Sequence, residues 1–232
     1  MSSLSILLFV GTMALSLWAA WRVKSVYRRY LQVPALSGIT GAEAAARMLQ
    51  QAGIRDVEIV AHNEMLGDHY DPTHKRLVLS NENYHGTSVA ALGVAAHEAG
   101  HALQHKEAYA PLHWRMAAVG MTNIASQIAM WLPMLGLFTG LISPYTAAWV
   151  LSLAWGVIMI FNLITLPVEF DASRRAKLAL GNMGMVTSRD EAKGVSAVLN
   201  AAAWTYVAAF ITSLGYLLMH LLPMLTGGRR DE

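Results

Sequence analysis

The sequence predicts a mainly α membrane protein with four transmembrane helices and a small α+β subdomain on the cytoplasmic side. Three observations carry this. Of 232 residues, 55% are hydrophobic and only 14% charged, whereas soluble domains carry about 25% charged residues. Charged side chains are absent from three long stretches, residues 1–21, 116–168 and 195–228, and a bilayer is crossed by about 20 apolar residues. The basic residues divide unequally among what remains: ten Lys or Arg in 22–115, five in 169–194, and two, Arg229 and Arg230, in the tail. The positive-inside rule then places both polar regions in the cytoplasm and both termini outside. The basic tail pulls weakly the other way.

Five segments follow in order. Residues 1–21 form an N-terminal transmembrane anchor. A cleaved signal carries its positive charge before the apolar core, but here Arg22, Lys24, Arg28 and Arg29 come after it. Residues 22–115 form the first cytoplasmic region. In it Thr40 and Glu43 fit a capping box, which starts a helix over 42–52 that Gly53 ends. Residues 57–60 alternate as a short strand, 75–80 form a second one preceded by an Asp71-Pro72 turn, and 88–106 read as an Ala-rich helix. Residues 116–168 are a transmembrane hairpin divided near 138–144. Residues 169–194 form a second cytoplasmic helix, with Pro167 suited to its first position. Residues 195–232 supply the fourth transmembrane helix, over about 197–222 and closed by Pro223, and the tail.

Composition also excludes. A formal net charge of +2 lacks the strongly basic patch of a nucleic-acid binder. With no cysteine there is no disulfide, no thiol nucleophile and no cysteine-based zinc site. A metal site must be built from His, Asp and Glu.

The helix over 88–106 carries that chemistry, in His97-Glu98-Ala99-Gly100-His101. At 3.6 residues per turn, His97 and His101 lie about 40° apart and about 6 Å along the axis, so two imidazoles can hold one ion. Glu98 flanks the same face and can reach a metal-activated water as a general base without being a ligand. A catalytic zinc site needs a third protein ligand. The metzincin continuation is absent, because Gln104 and Glu107 stand where Gly and His would be. His105 lies about 12 Å along the helix from His97, too far to share its ion. The hairpin returns the chain to the cytoplasmic face at Pro167, and the first charged residue there is Glu169. Glu169 is therefore the leading candidate. Asp171, His105 and a supporting-only role for Glu169 remain its rivals.

These residues, with Glu169-Phe-Asp-Ala-Ser-Arg-Arg-Ala176, the helix start over 37–45 and the stretch 198–208, resemble the YugP family of neutral zinc metallopeptidases of bacterial membranes. More distantly the chain is similar to the HtpX and CAAX prenyl protease group, whose motif is H-E-x-x-H followed by E-x-x-A-D. That resemblance implies zinc as cofactor and a zincin-like, gluzincin-type cytoplasmic region. It makes His97, His101 and Glu169 the metal ligands and Glu98 the catalytic base. Ala172 matches the Ala of the motif and Ser173 stands in place of its Asp. The support that this Asp gives a ligand is lost, taken by Ser173 or passed to Asp171.

The sequence thus points to a multi-pass protein of the cell's inner membrane. It is expected to be a zinc-dependent endopeptidase that hydrolyses peptide bonds of a protein or peptide substrate at the cytoplasmic face, with no nucleic-acid partner. The alternative is a catalytically silent zinc-binding membrane scaffold. A metal transporter would carry ionisable residues inside its spans, where this chain has only His220. Asn123, Ser126, Gln127, Asn162 and Asn200 read as interhelical glue, and Tyr206 as an interface anchor rather than an oxyanion donor. The strand over 75–80 is expected to be the sheet edge that receives an extended substrate.

Overall fold

The computed structural model describes residues 3–63 and 67–227. The element order is α1 (Ser3–Leu31), α2 (Gly41–Gln51), β1 (Glu58–His62), β2 (His69–Asp71), β3 (Arg76–Ser80), α3 (Asn81–His85), α4 (Val89–Lys106), α5 (Ala110–Thr139), α6 (Pro144–Asn182) and α7 (Arg189–Gly227). Arg229 and Arg230 lie outside the described residues. The chain divides into two compact units, one of residues 1–19, 114–166 and 205–232, the other of residues 20–113 and 167–204. We call them the apolar unit and the polar unit.

In the polar unit, local signals govern most of the elements. The Thr40 hydroxyl accepts from the Glu43 amide at 3.1 Å and the Glu43 carboxylate accepts from the Thr40 amide at 2.8 Å, so α2 opens on a complete capping box. Past its end Gly53 takes φ +65°, a left-handed conformation that costs glycine nothing. Helix α4 is capped by Ser88, whose hydroxyl accepts from the Ala91 amide. Its small residues Ala95, Ala96, Ala99 and Ala102 join Leu77, Leu79, Met48 and Leu180 in one buried core. That core lets neighbouring backbones come close to α4, which matters for the site below.

The sheet has the order β1-β3-β2. Strand β3 pairs in parallel with β1, Glu58 opposite Arg76, and antiparallel with β2, His69 opposite Val78. It is therefore the central strand. The expectation that residues 75–80 form a free edge for substrate is wrong. Strand β2 covers that edge, and at three residues it is too short to declare itself by alternation.

In the apolar unit, the helical stretches turn large apolar side chains outward. Leu7, Leu17, Ile124, Met130, Leu153 and Ile160 are all exposed. Among the described residues three helices, Ser3–Leu31, Pro144–Asn182 and the stretch Arg189–Leu225 of α7, are long and apolar enough to cross a membrane. An exposed apolar surface of this extent is unstable in water and suits lipid. Helix α5 is 30 residues long but stands outside that group, since Thr122, Asn123, Gln127 and Pro133 dilute its apolar character. The hydroxyls of Thr12, Ser152 and Thr165 bond back to the carbonyls of Leu8, Ala148 and Phe161 within their own helices. Between helices, Ser16 and Thr212 share a hydrogen bond of 3.0 Å. The Asn162 amide donates to Ala209 O at 3.2 Å and to Ser213 Oγ at 3.1 Å. Asn162 is thus interhelical glue as expected. Asn200 also bonds between helices, but in the polar unit, where α7 Asn200 accepts from α6 Lys177 Nζ at 2.8 Å.

Two proline expectations fail. Pro167 starts no helix and Pro223 ends none, for both lie inside longer helices, α6 and α7. A proline removes one N–H and crowds the preceding turn, but the residues following Pro167 are tightly held. Val168 and Ala172 are fully buried, and that packing carries the helix through. The unit boundary falls at Pro167 all the same. Likewise α1 runs on past the anchor to Leu31, because Arg22, Lys24, Arg28 and Arg29 end an apolar run without ending a helix.

Candidate metal centre

His97 and His101 stand one turn apart on α4, and Glu169 faces them from α6. All three are enclosed, Glu169 only 2% and His101 7% exposed. Their ligand atoms lie within 4.8 Å of one another. The approach of the two helices rests on two small residues. A Cβ added at Gly100 would sit 2.8 Å from the Ala172 carbonyl oxygen, so at this point backbone touches backbone. Gly100 lies between the two histidines in sequence, and Ala172 follows Glu169 by one turn. A side chain at position 100 would press on the Ala172 backbone and hold the carboxylate away from the imidazoles.

The orientation of the donors is specific. His97 Nε2 donates to Glu169 Oε2 at 3.2 Å, and His101 Nε2 lies 3.6 Å from the same oxygen. The two rings meet edge to face with centroids 4.8 Å apart. Burial pushes the His101 imidazole down, but the Glu169 carboxylate against it and the charge of Glu98 outweigh burial and hold it above its ordinary value. Glu98 follows His97 on α4 and is 8% exposed.

The opposite ring nitrogens are also engaged. Ser173 Oγ lies 3.1 Å from His97 Nδ1, and His101 Nδ1 donates to Gln104 Oε1 at 3.0 Å. Both imidazoles thus turn Nε2 toward Glu169 and Nδ1 toward a neutral polar partner. Metal-binding histidines have this arrangement, with the outer nitrogen fixed by a hydrogen bond.

The rivals of Glu169 are occupied elsewhere. Asp171 accepts from Gln104 Nε2 at 3.0 Å and from Arg175 Nε at 2.5 Å, and also pairs with Arg174. His105 Nδ1 and the Tyr70 hydroxyl share a hydrogen bond of 2.9 Å. His69 and His74 bond to Gly67 O and Asp71, and His220 Nδ1 donates to Tyr216 O. None of these joins the donor group among the described residues. Tyr206 belongs to the apolar unit. Sequence reasoning passed over Gln104 as a binding partner, although its spacing offered the signal. Positions 97, 101 and 104 follow the i, i+4, i+7 rule for one helix face.

The donors fit a zinc ion. Two imidazole nitrogens and one carboxylate oxygen suit zinc, whereas calcium and magnesium prefer all-oxygen sites. Bonds of about 2.0–2.2 Å in a tetrahedron put ligand atoms about 3.3–3.6 Å apart, and the two His-to-Glu169 separations are 3.2 and 3.6 Å.

Comparison with known proteins points to the same metal. A family model described as putative neutral zinc metallopeptidase matches residues 5–225. A protein of Bacillus subtilis (strain 168) named "Putative membrane protease YugP" is 42% identical over 229 residues, covering 99% of each chain. No solved structure matches. A match that runs from the first apolar helix to the last, over a chain whose buried donors suit zinc, places this protein in the family of putative neutral zinc metallopeptidases.

Proposed function

We propose that this chain is an integral membrane zinc endopeptidase that hydrolyses peptide bonds at the cytoplasmic face of the cell's inner membrane. The observation that supports this most is the buried set of His97, His101 and Glu169, with both Nε2 atoms turned to one carboxylate, on a helix that carries Glu98 beside the first histidine. The name of the Bacillus subtilis relative, "Putative membrane protease YugP", agrees with it.

In this reading His97 and His101 bind zinc through Nε2 and Glu169 binds it through its carboxylate. Zinc, when bound, supplies a Lewis acid that polarises a peptide carbonyl and acidifies water. Glu98 takes the proton of the attacking water and delivers it to the leaving amine. Ser173 and Gln104 hold the two rings. Burial around Glu169 excludes bulk water and strengthens every charge interaction in the site.

Helix α5 is the fourth span in this proposal; the Gln127 amide oxygen, expected to bond between helices, instead accepts from Trp131 Nε1 of the same helix at 2.9 Å. Residues 22–115 and 169–194 face the cytoplasm, because they hold 15 of the 17 basic residues. The turn near 138–144 faces outward.

Two experiments test the proposal. Purified Glu98→Gln should keep its zinc and lose peptide hydrolysis, while His97→Ala should lose the zinc; a silent scaffold would give no hydrolysis in any form. In whole cells of this cysteine-free protein, single cysteines at Lys75 and Arg189 should be labelled only after permeabilisation, and one at Ser143 without it. Labelling of position 75 in intact cells would invert the topology.

A further inference from the structure

Gln104 is fully buried, with 0% exposure, on the same face of α4 as His97 and His101. An amide in such a place has four hydrogen-bonding demands, and its surroundings dictate which end points where. Gln104 Nε2 donates to Val168 O at 2.8 Å and to Asp171 Oδ2 at 3.0 Å. Both of these partners can only accept. The amide is therefore fixed with Oε1 on the other side, where it meets His101 Nδ1 at 3.0 Å. An amide oxygen cannot donate, so His101 must place a proton on Nδ1, which leaves the Nε2 lone pair for a metal. Asp171 is itself held by Arg175, whose second arm reaches Glu107 at 2.6 Å.

We infer that Gln104 is a positioning residue for the metal centre, a relay through which Asp171 and the Val168 carbonyl fix the tautomer and orientation of His101. This rests on the proposed zinc site. The histidines are served unequally. Ser173 beside His97 is a hydroxyl that can donate or accept, so it accommodates either tautomer of that ring. Gln104 accommodates only one. Asp171 lies two residues past Glu169 yet touches neither imidazole, and its influence passes through the amide.

The test is zinc affinity of the full-length protein in detergent, measured by competition with a chromophoric chelator, beside the visible absorption of the cobalt-substituted protein. Gln104→Leu should bind zinc about 10–100-fold more weakly, the usual effect of losing such a partner, with a changed cobalt spectrum. Asp171→Ala should lose less, below about tenfold. In the Gln104→Leu background, Asp171→Ala should add no further loss, because its route to His101 is already gone. Wild-type affinity and an unchanged cobalt spectrum in Gln104→Leu would overturn the relay, as would losses that simply multiply in the double variant. If Gln104→Leu does not fold, wild-type affinity in Asp171→Ala overturns it alone. His101→Ala separates the two readings. If it keeps zinc, the proposed metal site is wrong; if it loses zinc while Gln104→Leu does not, only the relay is wrong.

Discussion

Asn162 and Glu169 stand seven residues apart on α6, and the two stretches of this helix treat polarity in opposite ways. Around Asn162, in the apolar unit, polar groups are neutral, few and bonded at once to a neighbouring helix or to their own backbone, while Leu153, Ile160 and Leu163 are exposed. Around Glu169, in the polar unit, a carboxylate, two imidazoles and an amide are buried together, and each has a named partner. A buried charge is tolerated only when it is paired or holds a metal. Pro167 lies between these stretches. One helix can thus serve two environments, and the chemistry of each stretch shows where the change occurs.

This contrast can be broken by substitution. The largest effect should come from Glu98→Gln. Loss of a general base lowers turnover about 10²–10⁴-fold, with zinc content and melting temperature close to wild type. A second test makes the same change in both units. Gly100→Ala forces a methyl against the Ala172 carbonyl and should destabilise the polar unit by about 1–3 kcal/mol through overpacking, weakening zinc binding as α4 and α6 separate. Gly120→Ala, in the apolar unit where nothing lies within 4 Å, should instead stabilise its helix by about 0.5–1 kcal/mol. Thermal unfolding of the two variants in detergent checks the opposite signs, and equal signs would mean that the close approach at Gly100 is not real.

Smaller effects follow. Thr40→Ala removes the capping box of α2 and should cost about 1 kcal/mol, read as a lower melting temperature with no change in zinc affinity. Asn162→Leu should cost about 0.6 kcal/mol, the average worth of a hydrogen bond between membrane helices. A loss of several kcal/mol there would show that the apolar unit depends on polar contacts as heavily as the polar unit does.

The parts legible in the sequence were those specified locally. The capping box at Thr40 and Glu43 states the start of α2 within a few residues, and the Ala-rich pattern over 88–106 states α4. The pair His97 and His101 is legible because helix geometry alone brings them together. Glu169 could be reached from the hairpin and from the family resemblance, since its approach to α4 depends on Gly100 meeting Ala172, a contact 72 residues apart. Strand β2 was missed because three residues carry no usable period. The two prolines misled because tertiary packing overrode a local rule, as buried Val168 and Ala172 hold α6 through Pro167. Gln104 was passed over because its role depends on which way an amide points, and that is set by Val168 and Asp171 from another helix.

In the proposed site His97, His101 and Glu169 together bind one zinc ion. Metal content and zinc X-ray absorption of the purified full-length protein test it most directly, with Glu169→Ala as the variant. The wild type should hold one zinc per chain, bound by two imidazole nitrogens and a carboxylate oxygen at about 2.0–2.2 Å, and Glu169→Ala should lose that zinc. An equal zinc content with an unchanged absorption spectrum in Glu169→Ala would contradict it.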